Sequence, residues 1–210
     1  AILATYAKHS KSEIFHFTHE ANDKGDLTIH LTLTPKQIGM QQSGNLIAEV
    51  QGTDPNAGIV VVAGHLDSWD LGTGAIDDGA GVAIVAAAAK NIMDMGKPKR
   101  TIRVIWMGSE EVGGFGQDAY DIAHKNEKFV LASESDFGAD RVWAFAYKFP
   151  DSAKALGERL QKGFAQMGII YDKGDAHGGS DVEHIIENGA AVIDLKQDGT
   201  HYFDLHHTPD

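Results

Sequence analysis

The sequence contains no cysteine among its 210 residues. Disulfide bonds, thiol nucleophiles and thiolate metal sites are therefore excluded, and any metal ion must be held by imidazole and carboxylate groups. Basic side chains are also scarce, since 18 lysines and arginines stand against 30 aspartates and glutamates, which gives a formal charge of −12. This charge balance argues against nucleic acid, and against an anionic membrane surface, as the main partner.

Long apolar runs are missing as well. No stretch approaches the roughly 20 residues that a membrane-spanning helix needs, so we expect a soluble protein. The length suits one globular domain covering residues 1–210. The chain opens at AILATYAKHS, without an initiator methionine or a signal-peptide pattern, and closes at HHTPD. We therefore expect it to be a fragment, or a processed form, of a longer protein.

Hydrophobic patterning predicts strands and helices in alternation, hence an α/β domain with a mostly parallel sheet. The strand at 26–34 alternates between apolar and polar residues, which indicates an antiparallel or edge strand, whereas 59–65 is apolar throughout, as in a strand buried on both faces. The helix at 79–95 is apolar almost all round, so we expect it to be buried. Further strands are predicted at 45–51, 101–108, 128–135 and 190–195, and further helices at 115–125, 152–167 and 180–188.

Polar clusters follow several of these strands or begin the helix at 79–95. They are His65 and Asp67, Asp77 and Asp78, Glu110 and Glu111, and Glu134 and Asp136. Near the chain end a further cluster contains Asp204, His206 and His207. Each cluster alone has an ordinary explanation as a loop pair, a helix cap or a solvated surface charge. The carboxyl ends of parallel strands, however, share one edge of the sheet, so we expect the clusters to converge. So many carboxylates in one place indicate a bound cation.

The segments GHLDSWDLGTGAIDDGAG, SEEVGG, ESDFG and YFDLHHTPD resemble those of the di-zinc exopeptidases of metallopeptidase family 28. The resemblance is strongest to the carboxypeptidase Q (plasma glutamate carboxypeptidase) branch and runs from about residue 26 to the end. It implies the three-layer α/β/α sandwich of the phosphorylase/hydrolase-like zinc exopeptidases, with a mixed, mostly parallel sheet. It also implies hydrolysis of terminal peptide bonds in short peptides or dipeptides, by a metal-activated water with a glutamate as general base.

The resemblance further implies two Zn²⁺ ions per chain, for which Co²⁺ or Mn²⁺ could substitute. Asp77 corresponds to the carboxylate that bridges both ions. His65 and Asp136 correspond to the other ligands of one ion, and Glu111 and His207 to those of the second. Imidazole and carboxylate are ligands that zinc accepts, so the residue types fit the metal.

Other residues acquire roles by the same correspondence. Glu110 matches the general base, and Asp67 matches the carboxylate that orients the first histidine ligand by accepting its second N–H. His177 lies where relatives place a group that polarises the substrate carbonyl, although a plain loop histidine beside flexible glycines explains it equally well.

Two details concern the metal ligands themselves. His207 is preferred to His206 because the family's histidine precedes serine or threonine, as His207 precedes Thr208. The Asp77–Asp78 peptide bond is expected to be cis, as it is in relatives.

Several points stay open at this level. The preference for aminopeptidase, carboxypeptidase or dipeptidase activity is not readable, and a homodimer and export to the periplasm or the medium are expectations drawn from relatives. The missing parts would be an N-terminal region and a closing C-terminal helix. Two alternatives are a non-catalytic, partner-binding domain of the same fold and a single-zinc acyl transferase resembling glutaminyl cyclase. The complete set of ligand-type residues argues against the first, and the intact His-Leu-Asp segment argues against the second.

Overall fold

The computed structural model describes residues 2–5, 16–21, 27–32 and 39–208. Its strands are β1 (Ile2–Thr5), β2 (His16–Ala21), β3 (Leu27–Thr32), β4 (Met40–Ser43), β5 (Leu46–Val50), β6 (Ile59–His65), β7 (Thr101–Met107), β8 (Phe129–Glu134), β9 (Val142–Lys148), β10 (Ile170–Tyr171) and β11 (Ala191–Gln197). Its α-helices are α1 (Gly79–Asp94), α2 (Phe115–His124), α3 (Lys154–Gln166) and α4 (Glu183–Glu187). Short 3₁₀ turns occupy Asp151–Ala153, Ser180–Val182 and Tyr202–Asp204.

Seven strands form the main sheet in the order β10-β9-β11-β8-β6-β7-β5. The central strand β6 is parallel to β7 and β8, β8 is parallel to β11, and β9 is parallel to β10. Only the pairs β5–β7 and β9–β11 within this sheet are antiparallel. The prediction of a mixed, mostly parallel sheet is therefore confirmed. The segment 59–65 forms its strand β6, which lies between two parallel strands.

Two strand pairs lie outside the main sheet. β1 pairs with β4, and β2 pairs with β3, both antiparallel. The strand predicted at 26–34 is observed as β3, and its predicted antiparallel pairing is confirmed. The side chains of β1 to β3 lie outside the described part of the structure, so the predicted half-burial of β3 is not tested.

Helices cover both faces of the sheet. Consecutive residues of a strand point to opposite sides, and those of β7 contact different helices. Val85 of α1 lies in one buried cluster with Val104 of β7. The next residue of β7, Ile105, lies in a second cluster with Tyr120 of α2 and Ile185 of α4. The sheet is thus the middle layer of an α/β/α sandwich, as predicted.

The strand β9 was not predicted. Its sequence VWAFAYK is a short apolar run that periodicity alone cannot distinguish from part of a helix. In the structure Ala146 lies in a cluster with Ile186 of α4, while the ring of Phe145 lies 4.6 Å from that of Phe164 in α3. Helix α3 consequently covers the sheet on the side opposite α4.

The expectation that 79–95 forms a wholly buried helix is wrong. Helix α1 has the predicted extent, but it buries one stripe, formed by Gly81, Val85 and Ala89, while Ile84 on its outer side is 45% exposed. Much of its apolar character comes from alanine, whose small side chain is tolerated in water. In α3, Leu156 is likewise exposed.

A buried charge network ties β7 to its neighbours. The guanidinium of Arg103 donates to Glu49 of β5, to the Tyr120 hydroxyl and, through two nitrogens, to Glu127. Burial would lower the pKa of Arg103, but these partners keep it fully charged. The hydrogen bond from Arg103 correspondingly holds the pKa of Glu127 below its ordinary value.

The sheet brings the carboxyl ends of its central strands together. His65 ends β6 and lies opposite Met107 near the end of β7, while Ala63 lies opposite Glu134 at the end of β8. The loops after these strands therefore meet at one edge of the sheet. No helix among the described residues is both long and apolar enough to cross a membrane.

Candidate metal centre

His65 is the most buried of the candidate metal ligands, with 2% of its surface exposed. Its backbone N–H donates to Asp78 Oδ2 at 2.9 Å, and its Nδ1 lies 3.0 Å from the backbone carbonyl oxygen of Asp67. A carbonyl oxygen can only accept, so Nδ1 donates this hydrogen bond, and Nε2 is the ring nitrogen that faces the other candidate ligands. Nε2 lies 3.0 Å from Asp77 Oδ1 and 3.8 Å from Asp136 Oδ1.

Asp77 stands between two groups of potential ligands. Its Oδ1 approaches His65, while its Oδ2 lies 3.0 Å from His207 Nε2. His207 Nε2 also lies 3.1 Å from Glu111 Oε2. His65, Asp77 and Glu111 each offer an atom within 4.8 Å of the others. Two ligands of one tetrahedral zinc ion lie roughly 3.3 Å apart at ordinary bond lengths, so these separations suit a shared cation.

Both histidines near the chain end reach this group. The rings of His206 and His207 stack at 3.6 Å, and His206 Nε2 lies 3.2 Å from Asp77 Oδ2. Only His207 of the two also contacts Glu111. Trp69 supports that pair, because its ring stacks on His207 at 5.4 Å and its backbone N–H donates to Glu111 Oε1 at 3.0 Å.

The electrostatics favour a cation. Burial alone would lower the pKa of His65, but Asp136 and Asp77 raise it to about 12. Burial and the charge of Asp77 raise the pKa of Glu111 to about 7. Asp136 Oδ1 is buried without a hydrogen-bond partner among the described residues. An orphaned carboxylate oxygen facing imidazole and further carboxylates fits a divalent ion, which would neutralise the excess negative charge.

Asp78 has a structural role next to Asp77. Its carboxylate accepts the backbone N–H groups of His65 and Gly81, so it caps α1 while fixing the end of β6. Burial raises the pKa of Asp78 to about 7. The Asp77–Asp78 peptide bond is cis, as expected, and the Asp70–Leu71 bond is also cis.

Asp67 contacts different groups from those expected. Its carboxylate accepts the backbone N–H of Glu110 on Oδ1 at 3.0 Å and that of Glu111 on Oδ2 at 3.2 Å. The nearer contact to His65 Nδ1 comes from the backbone carbonyl of Asp67, whereas its Oδ1 is 3.9 Å away. The tautomer of His65 is therefore fixed by the main chain, and the carboxylate holds the segment that carries both glutamates.

The side chains of Glu110 and Glu111 diverge. Glu111 points to His207 and Trp69, while Glu110 Oε1 accepts a hydrogen bond from the Ser180 hydroxyl at 2.9 Å. This divergence agrees with the expectation that only one of the two adjacent glutamates is a ligand. Ser180 was not singled out from the sequence, since nothing in a loop serine indicates its partner.

His177 is exposed, and its described contact is a backbone N–H donated to Asp194 Oδ2 at 2.8 Å. The structure does not bring its ring to the candidate ligands. Sequence reasoning also missed a buried acid pair behind the site: the backbone N–H of Asp181, a residue 1% exposed, donates to Glu134 Oε2 at 2.7 Å. Burial raises the pKa of both carboxyl groups, and the charge of Asp181 raises that of Glu134 further.

Two cavities flank the group of ligand-type residues. A cavity of about 630 Å³ opens beside Asp136 and is walled by Phe137, Trp143 and Leu195. A much smaller one, of about 40 Å³, lies between Asp77 and His207. The site is therefore open to a bulky group chiefly on the Asp136 side.

Comparison with known proteins places this geometry in context. Residues 45–210 match the family model described as Peptidase family M28. Carboxypeptidase Q of Rattus norvegicus is 34% identical over 189 residues, which is 88% of this chain and 40% of that protein. The chain thus spans about two fifths of the length of that relative.

Solved structures of peptidases are also similar to this chain. A peptidase M28 precursor from Shewanella amazonensis has a TM-score of 0.80 and 45% sequence identity, covering 87% of this chain and 42% of that one. A zinc aminopeptidase from Bacillus subtilis has a TM-score of 0.61 at 20% identity, covering 86% and 46%. The second likeness concerns the fold alone. The motif resemblance found in the sequence is confirmed by these matches.

Proposed function

The chain belongs to peptidase family M28, and from that premise we propose that it is a zinc-dependent exopeptidase acting on terminal peptide bonds of short peptides or dipeptides. The observation that carries the proposal is the position of Asp77. One of its oxygens lies 3.0 Å from His65 Nε2, and the other lies 3.0 Å from His207 Nε2. A carboxylate so placed can serve two ions at once.

We assign two zinc ions to this centre. His65 and Asp136 would complete the ligands of one ion, Glu111 and His207 those of the other, and Asp77 would belong to both. Zinc held there would supply a Lewis acid, which polarises the substrate carbonyl and lowers the pKa of water. Co²⁺ and Mn²⁺ accept the same ligands and are expected substitutes.

Glu110 is the proposed general base. Ser180 occupies its Oε1, which leaves Oε2 free to take a proton from the attacking water and to hand it to the leaving amine. Asp67 fixes the backbone N–H groups of Glu110 and Glu111. The base and the neighbouring ligand are thereby held as one unit, and we assign Asp67 that positioning role.

The alternatives predict different metal contents. A single-zinc acyl transferase would bind one ion per chain, and a partner-binding domain without catalysis need bind none. Two groups of ligand-type residues share Asp77, one with His65 and Glu111 and the other with His206 and His207. This sharing supports a pair of ions, so we prefer the peptidase.

Other proposals rest on the relatives. A short peptide or dipeptide is the proposed substrate, and a homodimer and export to the periplasm or the medium follow from the resemblance alone. The role of His177 in polarising the carbonyl remains a proposal that its described contacts do not favour.

The deciding experiment uses protein stripped of metal and a panel of free, N-acetylated and C-amidated dipeptides. We expect no hydrolysis before zinc is added and hydrolysis of free dipeptides afterwards, with about two zinc ions bound per chain. Hydrolysis that is indifferent to metal would refute the proposal, as would a full zinc complement without any turnover. The end-blocked peptides report which terminus must be free.

A further inference from the structure

We propose that Asp194 is a positioning residue for Glu110, acting through the loop 177–180, and this inference rests on the proposed function of Glu110 as general base. Asp194 lies on β11 and does not contact Glu110 in the structure. Its carboxylate instead holds the loop from which Ser180 donates to Glu110.

The contact from Asp194 engages both of its oxygens. Oδ2 accepts the backbone N–H of His177 at 2.8 Å, and Oδ1 accepts that of Gly178 at 2.6 Å. Hydrogen bonds to an ionised carboxylate are shorter and stronger than neutral ones. Two such bonds, made by adjacent backbone N–H groups, fix both the position and the orientation of the loop relative to β11.

A second contact comes from the neighbouring strand. The backbone N–H of Glu134 on β8 donates to the carbonyl of Gly178 at 2.9 Å, and Glu134 Oε2 accepts the backbone N–H of Asp181 at 2.7 Å. Since β8 and β11 are adjacent strands, the loop is held from two sides. Asp194 supplies the side-chain contacts that hold the half of the loop before Ser180.

The loop is closely packed between these anchors. Gly178 and Gly179 adopt positive φ angles of 87° and 104°, which side chains rarely allow. A Cβ at Gly179 would collide with Glu134 Oε2, and one at Gly178 would collide with Ile186 Cδ1. The backbone between the Asp194 contacts and Ser180 therefore packs closely against Ile186 and Glu134.

A nearby aspartate offers a matched control. Asp198 follows the same strand and also borders the large cavity, but its Oδ1 accepts the N–H and hydroxyl of Thr200, within its own turn. Asp198→Asn therefore removes the same charge from the same cavity without touching the loop 177–180. It separates an effect of charge from an effect of positioning.

The test compares Asp194→Asn, Ser180→Ala and the double variant with the wild-type zinc enzyme. In either orientation the amide introduced by Asp194→Asn would turn its NH₂ toward a backbone N–H, so one of the two donors loses its acceptor. We expect kcat to fall about tenfold to a hundredfold, with KM within about threefold and zinc content unchanged. In the Ser180→Ala background Asp194→Asn should cost little more, because both act on one path.

Hydrogen exchange of residues 173–182, measured by mass spectrometry, tests the loop independently of turnover. We expect faster exchange in Asp194→Asn and wild-type exchange in Asp198→Asn, whose kcat should stay within about twofold. The inference is overturned if exchange is unchanged, if the loop loosens while kcat is retained, or if the two losses in kcat simply multiply. If the wild-type zinc enzyme hydrolyses no peptide, the base assignment fails while the exchange result still decides whether Asp194 holds the loop.

Discussion

The carboxylate of Asp67 accepts the backbone N–H of Glu110 at 3.0 Å. With its other oxygen it accepts the N–H of Glu111 at 3.2 Å, so one side chain fixes two consecutive peptide groups. The backbone carbonyl of Asp67, meanwhile, accepts a hydrogen bond from Nδ1 of His65. One residue thus joins the loop after β6 to the loop after β7, and its main chain and side chain serve different partners.

Asp67→Asn should therefore impair turnover more than metal binding. Asparagine offers one acceptor oxygen in place of two and would turn its NH₂ toward a backbone N–H, while the carbonyl that orients His65 is retained. We expect kcat to fall about tenfold to a hundredfold with the zinc content unchanged. A lower zinc content, with normal turnover in the molecules that still hold both ions, would show that the carboxylate acts on His65 after all.

Glu110→Gln should retain zinc and lose activity. Glutamine is nearly isosteric with glutamate but cannot accept the proton of the attacking water, so kcat should fall by about a factor of 100 or more. Glu111→Gln is the matched comparison at the adjacent position, and it should weaken zinc binding because that side chain contacts His207. Steady-state kinetics and metal analysis distinguish the two variants, and full activity in Glu110→Gln contradicts the mechanism.

The two adjacent histidines should differ in their effect on metal. His207 contacts both Asp77 and Glu111, whereas His206 contacts only Asp77 among these carboxylates. His207→Ala should lower the zinc content from about two ions to about one, and His206→Ala should leave it near two. Equilibrium dialysis followed by elemental analysis measures both, and the reverse pattern would transfer the ligand role to His206.

Glu127 should carry part of the resistance to acid. Its pKa is held below the ordinary 4.5 by the hydrogen bond from Arg103, so it stabilises the fold above that value and loses the effect as the pH falls through its folded pKa. Glu127→Gln should therefore flatten the fall in Tm between about pH 5 and pH 3. Circular dichroism of the zinc-free protein measures this fall, with exposed Glu158→Gln as control, and equal slopes would contradict the assignment.

Much of the fold could be predicted because apolar runs and turn residues mark its elements. The buried strand β6 and the helix α1 have nearly the predicted bounds. The strand β9 escaped detection because a short run of apolar and aromatic residues suits a strand or a helix equally. The exposed side of α1 could not be foreseen, since a helix rich in alanine gives little sign of which face meets the sheet.

The site was predictable where side chains carry the chemistry. Residues with ligand-type groups at strand ends, such as His65 and Asp77, do converge in the structure. What the sequence could not reveal are contacts made through the backbone, because any residue has the same N–H and carbonyl. The two acceptor bonds of Asp67 belong to this class, and so does the hold of Asp194 on its loop.

The stacking of Trp69 on His207 joins segments that are far apart in the chain. His65 ends a central strand, whereas His207, which contacts the other oxygen of Asp77, follows every strand of the main sheet in the sequence. An unfolded or half-synthesised polypeptide accordingly has no such pair of donors to offer. Any ion captured there would favour the completed molecule over every partly ordered state, so zinc should raise the midpoint of global unfolding in proportion to the logarithm of its free concentration.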